Sequence, residues 1–195
     1  MNRWRGTAWM DAFEYLSVLL SIILGLAITQ VLQGYRGLLL SRSTVTVDPP
    51  TLIWSALLLL IVTQSWWASF GLSHHRNWDF GSFSLILLQM VLLYMMAALI
   101  LPDVPRGEPV DLRAHFYCER RPFFAIFIAM LVTSLVKDWA LDGDLPEAGN
   151  ILAHTAFGAL SVLALIIRRP KLHEIAAPVT AVLAIVYIAA LFARL

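Results

Sequence analysis

The chain has 195 residues, 59% of them hydrophobic and 14% charged, with a mean hydropathy of +0.76. Soluble domains carry roughly 25% charged residues, so this composition excludes one and puts most of the chain in lipid. A formal net charge of +1, with no Lys/Arg run interleaved with aromatics, leaves no nucleic-acid surface, and the single Cys118 excludes an internal disulfide or a thiolate metal centre of its own.

A bilayer core of about 30 Å takes about 20 apolar residues per helix. Six stretches qualify, so the expected fold is all-α: a polytopic membrane helical bundle of about six transmembrane helices, forming a single transmembrane domain over residues 1–195. The first span, residues 10–34, has arginines ahead of it, as a secretion signal does. Asp11 and Glu14 interrupt that approach and no small-residue cleavage site follows, so an uncleaved span is expected. At ~100° per residue, Glu14, Ser17, Ser21, Gly25 and Thr29 share one stripe on an otherwise greasy helix. Small and hydroxylic residues belong against other helices, where backbones approach closely and hydroxyls find partners.

The breaker Asp48-Pro49-Pro50 precedes the second span, residues 51–73, which holds Trp54, Gln64, Trp66 and Trp67. The third, residues 80–101, contains Gln89 and Tyr94. If spans two and three form a tight antiparallel hairpin, Gln64 and Gln89 reach the same depth and hydrogen-bond as a structural polar pair. Residues 102–121, PDVPRGEPVDLRAHFYCERR, are too polar to span. They are expected as an interfacial segment, with Asp111 capping a short helix that puts Leu112 and Phe116 on one side. The fourth span, residues 122–141, is expected to begin at Pro122, a favoured first helical position. An acidic turn leads to the fifth, residues 148–167, and Arg168-Arg169-Pro170-Lys171 separates it from the sixth, residues 173–194, which contains Pro178.

Lys and Arg divide unequally between the two faces. Arg36, Arg42, Arg106, Arg113, Arg120, Arg121, Arg168, Arg169 and Lys171 follow spans one, three and five, whereas Arg3, Arg5, Arg76, Lys137 and Arg194 lie at the other face. This bias predicts an inner (plasma) membrane protein with both termini outside.

Ionisable residues collect near the face of the termini: Glu14, His74, His75, Lys137, Asp138 and His154. Span five repeats the design of span one, with Asn150, His154, Gly158 and Ser161 on one stripe. One reading makes Glu14 and His154 the outer site of a channel or transporter for protons or inorganic ions, formed between spans one and five. Ser17, Ser21, Thr29, Asp138 and Ser161 then supply polar groups along the path, and Gly25 and Gly158 supply close helix packing. An ionisable group within a span is costly and usually faces partners or water. The other reading keeps Glu14 and His154 shallow, in contact with headgroups, and makes the chain an accessory or structural subunit of a larger membrane complex, or a homo-oligomer. No cofactor is expected on either. A third alternative is a haem- or metal-binding protein using His74, His75, His154 and Glu14, although their spacing matches no established ligand pattern. No G-x-S-x-G, H-E-x-x-H, paired intramembrane aspartates or phosphate loop is present, so no enzyme is expected.

Overall fold

The computed structural model describes residues 12–74, 78–104, 109–144 and 146–192. Six helices are long and apolar enough to cross a bilayer. They are α1 (Ala12–Leu40), α2 (Pro49–Ala68, extended by a 3-10 helix at Ser69–His74), α3 (Phe80–Ile100), α4 (Leu112–Asp142), α5 (Ala148–Ile166) and α6 (Pro170–Phe192). Two short strands, β1 (Val45–Thr46) and β2 (Val110–Asp111), pair in parallel and tie the α1–α2 loop to the α3–α4 loop.

Polar residues at the helix starts stop the chain where the apolar runs begin. Asp48 precedes two prolines and accepts from the Thr51 backbone N–H at 3.2 Å and its hydroxyl at 2.8 Å. Asp79 does the same for α3 through the Ser82 N–H at 3.0 Å and its hydroxyl at 2.8 Å. Each satisfies helix donors that lipid cannot. At the end of α4, Gly143 takes φ 75°, and its N–H reaches the Trp139 carbonyl at 2.9 Å. Such a left-handed stop favours glycine.

The cap at Asp111 opens a longer helix than the sequence suggests. Its carboxylate accepts from the Arg113 and Ala114 N–H groups at 2.9 and 3.1 Å, and the helix then continues for 31 residues, through Pro122. Residues 112–121 are therefore the first turns of α4, and both Leu112 and Phe116 are buried in the core. Hydropathy hides these turns because Arg113, His115, Glu119, Arg120 and Arg121 lower its average. The proline ring, on an exposed position, is accommodated without breaking the helix.

The helices form a closed ring in the order α1, α3, α4, α5, α6, α2, with α2 also touching α3 and α4 inside it. On the face where α1 begins, which we term the N-face, α2 and α4 end and α3 and α5 start. Trp54 of α2 stands against Phe123, Phe124 and Phe127 of α4, edge to face, at centroid distances of 5.7, 5.2 and 5.8 Å. This aromatic knot fills the middle of the ring with favourable quadrupole geometry. Toward the opposite face, Gly34 lets α1 meet α3: a Cβ placed there would lie 2.6 Å from the Leu101 Cβ.

Candidate functional site

Above the aromatic knot the ring encloses a cavity of about 410 Å³ bordered by all six helices and reaching the N-face near Gly71 and Asp142. That volume lies within the range of small-molecule sites. Its lower wall is apolar at Leu20, Leu57, Met90 and Phe127, with Gln89 beside Met90 at the same depth, and its upper wall carries Gln64, Lys137, Asp138, Asn150 and His154.

Most of the upper wall is already bonded. Lys137 Nζ and Asp138 Oδ1 are 3.1 Å apart. Although neighbours in sequence on a helix diverge by ~100°, the long lysine stem bends round to close the pair. The other carboxylate oxygen of Asp138 accepts from Asn150 Nδ2 at 3.2 Å, and Asn150 Oδ1 accepts from the Tyr187 hydroxyl at 2.7 Å. One chain of bonds thus joins α4, α5 and α6 at the N-face. His154 Nδ1 lies 2.9 Å from the Asn150 carbonyl, one turn earlier. A carbonyl only accepts, so Nδ1 carries the hydrogen and the other ring nitrogen, Nε2, is left to act as an acceptor in the neutral imidazole.

The two carboxamides differ from their neighbours. Both border the cavity, but no hydrogen bond joins them or ties either to another described residue. Gln89 is only 7% exposed, and its Oε1 is buried without a partner. The hairpin of α2 and α3 brings the amides to one cavity, as the sequence suggests. The expected clasp between them does not form, and both amides border the cavity instead.

Only the span-five half of the site expected between spans one and five belongs to this cavity. His154 and Asp138 line it. Glu14, Ser21, Gly25 and Thr29 are exposed and Ser17 partly so, on the outside of the ring. Their helix packs against α2 and α3, whereas α5 packs against α4 and α6, so the two stripes do not meet. Ser17, Ser21 and Thr29 donate to carbonyls of their own helix at 2.7–2.8 Å, and Trp66 Nε1 reaches the Ser21 hydroxyl at 3.3 Å. Leucines on the other side of α1, Leu16, Leu20 and Leu24, turn inward instead. Interdigitating leucines fill the ring better than a bare stripe, so the large side chains won the interior.

Ser161 is buried and donates to the Phe157 carbonyl at 2.7 Å, outside the cavity wall. Gly25 and Gly158 are not packing glycines within this chain, since a Cβ on either would meet nothing within 4 Å. The close approach is made by Gly34 and Gly37. The side chain of His74 and all of His75 lie outside the described residues, and among the described residues no group of three or more His, Cys, Asp or Glu side chains is placed to hold a metal ion.

Two residues escape the sequence reading. Arg120, one of the basic residues counted toward the loop face, is buried and binds carbonyls at the end of α5. His173 is buried among Phe116, Tyr117 and Phe124. Nothing in their local pattern separates them from the exposed Arg121 and Arg169.

No family model, curated protein or solved structure matches this chain. The ring of six apolar helices defines an integral, multi-pass membrane protein.

Proposed function

We propose that this membrane protein is a small transporter that takes its cargo into the central cavity from the N-face. The observation that carries the reading is the one-sided cavity. All six helices border it, polar groups line its mouth, and the Trp54–Phe127 knot lies beneath it. A site reached from one side and stopped by packed aromatics suits alternating access better than an open pore. The sequence by itself suggests a proton or inorganic ion held by Glu14 and His154 as the cargo. We place the cargo among α2–α6 instead, where Asp138, near the cavity mouth, already has Lys137 as its counter-ion. The Lys/Arg bias supports the loop face as the cytoplasmic one, with both termini outside an inner (plasma) membrane.

The test is efflux of protons, potassium and small uncharged solutes from liposomes holding the purified protein. Saturable efflux of one of them, reduced by His154→Ala and unchanged by Glu14→Gln, is the expected result. Phe127→Ala should convert saturable efflux into a leak that rises linearly with concentration. Impermeable vesicles with every solute would overturn the reading.

A second reading, as an accessory subunit or homo-oligomer, is favoured by the outward stripe of α1, where Ser21, Gly25 and Thr29 are exposed. Gly25→Leu should then shift the size of the assembly in cross-linking or native mass measurements while leaving the folded chain intact.

A further inference from the structure

We infer that the cavity is a binding site for a small uncharged solute bearing an amide-like group, an N–H beside a C=O, on an apolar body. This rests on the transport reading for its purpose, but not for its chemistry. Three observations converge.

Apart from the exposed Asp142 at the N-face rim, the lysine and carboxylate of the wall cancel. Lys137 and Asp138 form their own pair at 3.1 Å, so an ion that has passed the exposed Asp142 at the rim must separate this pair to gain a partner further in. An uncharged guest faces no such competition.

Among the described residues the wall's uncommitted neutral polar groups are the Ser65 and Ser134 hydroxyls and two carboxamides, and the one with an atom fully buried and unpartnered is a carboxamide. Gln89, 7% exposed, has its Oε1 buried with no partner, and Gln64 faces the same cavity without a hydrogen bond among the described residues. A buried polar group left unmade is costly, and in a native fold it calls for a partner. Each amide has both a donor and an acceptor end, and either end can be presented by turning the group over. The complement is a group that also offers both, side by side. His154 Nε2 adds one more acceptor on the α5 side.

Leu20, Leu57, Met90 and Phe127 make the inner end apolar around Gln89. A guest's hydrocarbon fits against these side chains, with its polar end at Gln64, Gln89 and His154. Sites built to hydrogen-bond a specific group reject analogues lacking it, because the wall's own groups are then stranded.

The test uses four probes with one ring system and nearly identical shape: 2-naphthamide, 2-acetylnaphthalene, 2-naphthoate and 2-naphthamidinium. Saturable binding of each to the purified full-length protein in detergent is measured by titration calorimetry. The amide should bind at least about tenfold tighter than the ketone, the worth of one well-made buried hydrogen bond, and tighter than either ion. Gln89→Leu and the near-isosteric Gln89→Met should bring the amide down to the ketone's affinity. Both remove an unpartnered polar group, so folding is expected to survive, and unchanged ketone binding in each variant verifies it. Equal affinities for amide and ketone, preference for either ion, or no saturable binding by any probe would each overturn the inference. Amide binding without efflux of any solute leaves the site standing and refutes transport. Efflux of an ion without amide binding does the reverse.

Discussion

The carbonyl of Ile167 receives two donors from two different helices: Arg120 Nη1 of α4 at 2.9 Å and His173 Nε2 of α6 at 3.0 Å. Arg120 also reaches the Ala164 and Leu165 carbonyls at 2.6 and 3.0 Å, so a single guanidinium nitrogen closes the carboxyl end of α5. Those carbonyls have no intrahelical donor, and a cation at this end also opposes the negative end of the helix dipole. Arg120→Ala should therefore destabilise the protein by about 3 kcal/mol, the scale of a buried charged hydrogen bond left unmade. Arg120→Lys should recover only part of this, since an ammonium cannot reproduce the planar fork. Thermal unfolding in detergent checks the order wild type, Lys, Ala.

Glycines on α1 should respond in opposite ways. Gly34→Ala drives a methyl to within 2.6 Å of Leu101, so it should cost about 1–3 kcal/mol through overpacking between α1 and α3. At Gly25 and Gly158 nothing lies within 4 Å, and alanine should be neutral or slightly stabilising through helix propensity, by up to about 1 kcal/mol. Comparing the three unfolding midpoints tests this directly.

The ion pair at the cavity mouth predicts a non-additive pair of substitutions. Asp138→Leu leaves Lys137 without its counter-ion and frees Asn150 Nδ2, whereas Lys137→Met with Asp138→Leu removes both charges together. The single change should cost more than the double, with a coupling on the order of 1 kcal/mol for this partly exposed pair. A double-mutant cycle of unfolding midpoints measures it.

Trp54 is 3% exposed and ringed by three phenylalanines. Trp54→Ala should cost about 3–5 kcal/mol, as large-to-small core changes do. Trp54→Phe should retain most of the stability, because it keeps an aromatic face in the knot.

Membrane orientation is read from the exposed α5–α6 turn. Arg169→Cys in a Cys118→Ser chain should react with a membrane-impermeant maleimide in inverted vesicles and not in right-side-out ones. The opposite labelling would turn the assignment of faces over.

How far the sequence carried differs from one part of the chain to another. Span existence was legible because twenty apolar residues need a bilayer whatever they pack against, and the breaker at Asp48 and the cap at Asp111 were legible because both signals are local. The start of α4 was not. Residues 113–121 look interfacial by hydropathy, and only the burial of Leu112, Phe116 and Arg120, with Arg120 bonded to α5 and Phe116 against His173 of α6, shows that these three face inward. Half of the candidate site was misplaced for a related reason. Periodicity puts Glu14, Ser21 and Thr29 on one stripe, but it does not say whether that stripe turns toward the ring or away.

By itself, then, the sequence determined six membrane-length helices and the polar character of the N-face, since both follow from local composition and spacing. The tertiary structure alone decided which face of each helix turns inward, that α1 lies apart from α5, and that Gln64, Gln89, Asp138, Asn150 and His154 surround one cavity. The physical reason is that in lipid every face of such a helix is apolar enough to be exposed. The choice is left to side-chain fit and to hydrogen bonds between residues far apart in the chain, such as Tyr187 to Asn150 and Arg120 to Ile167.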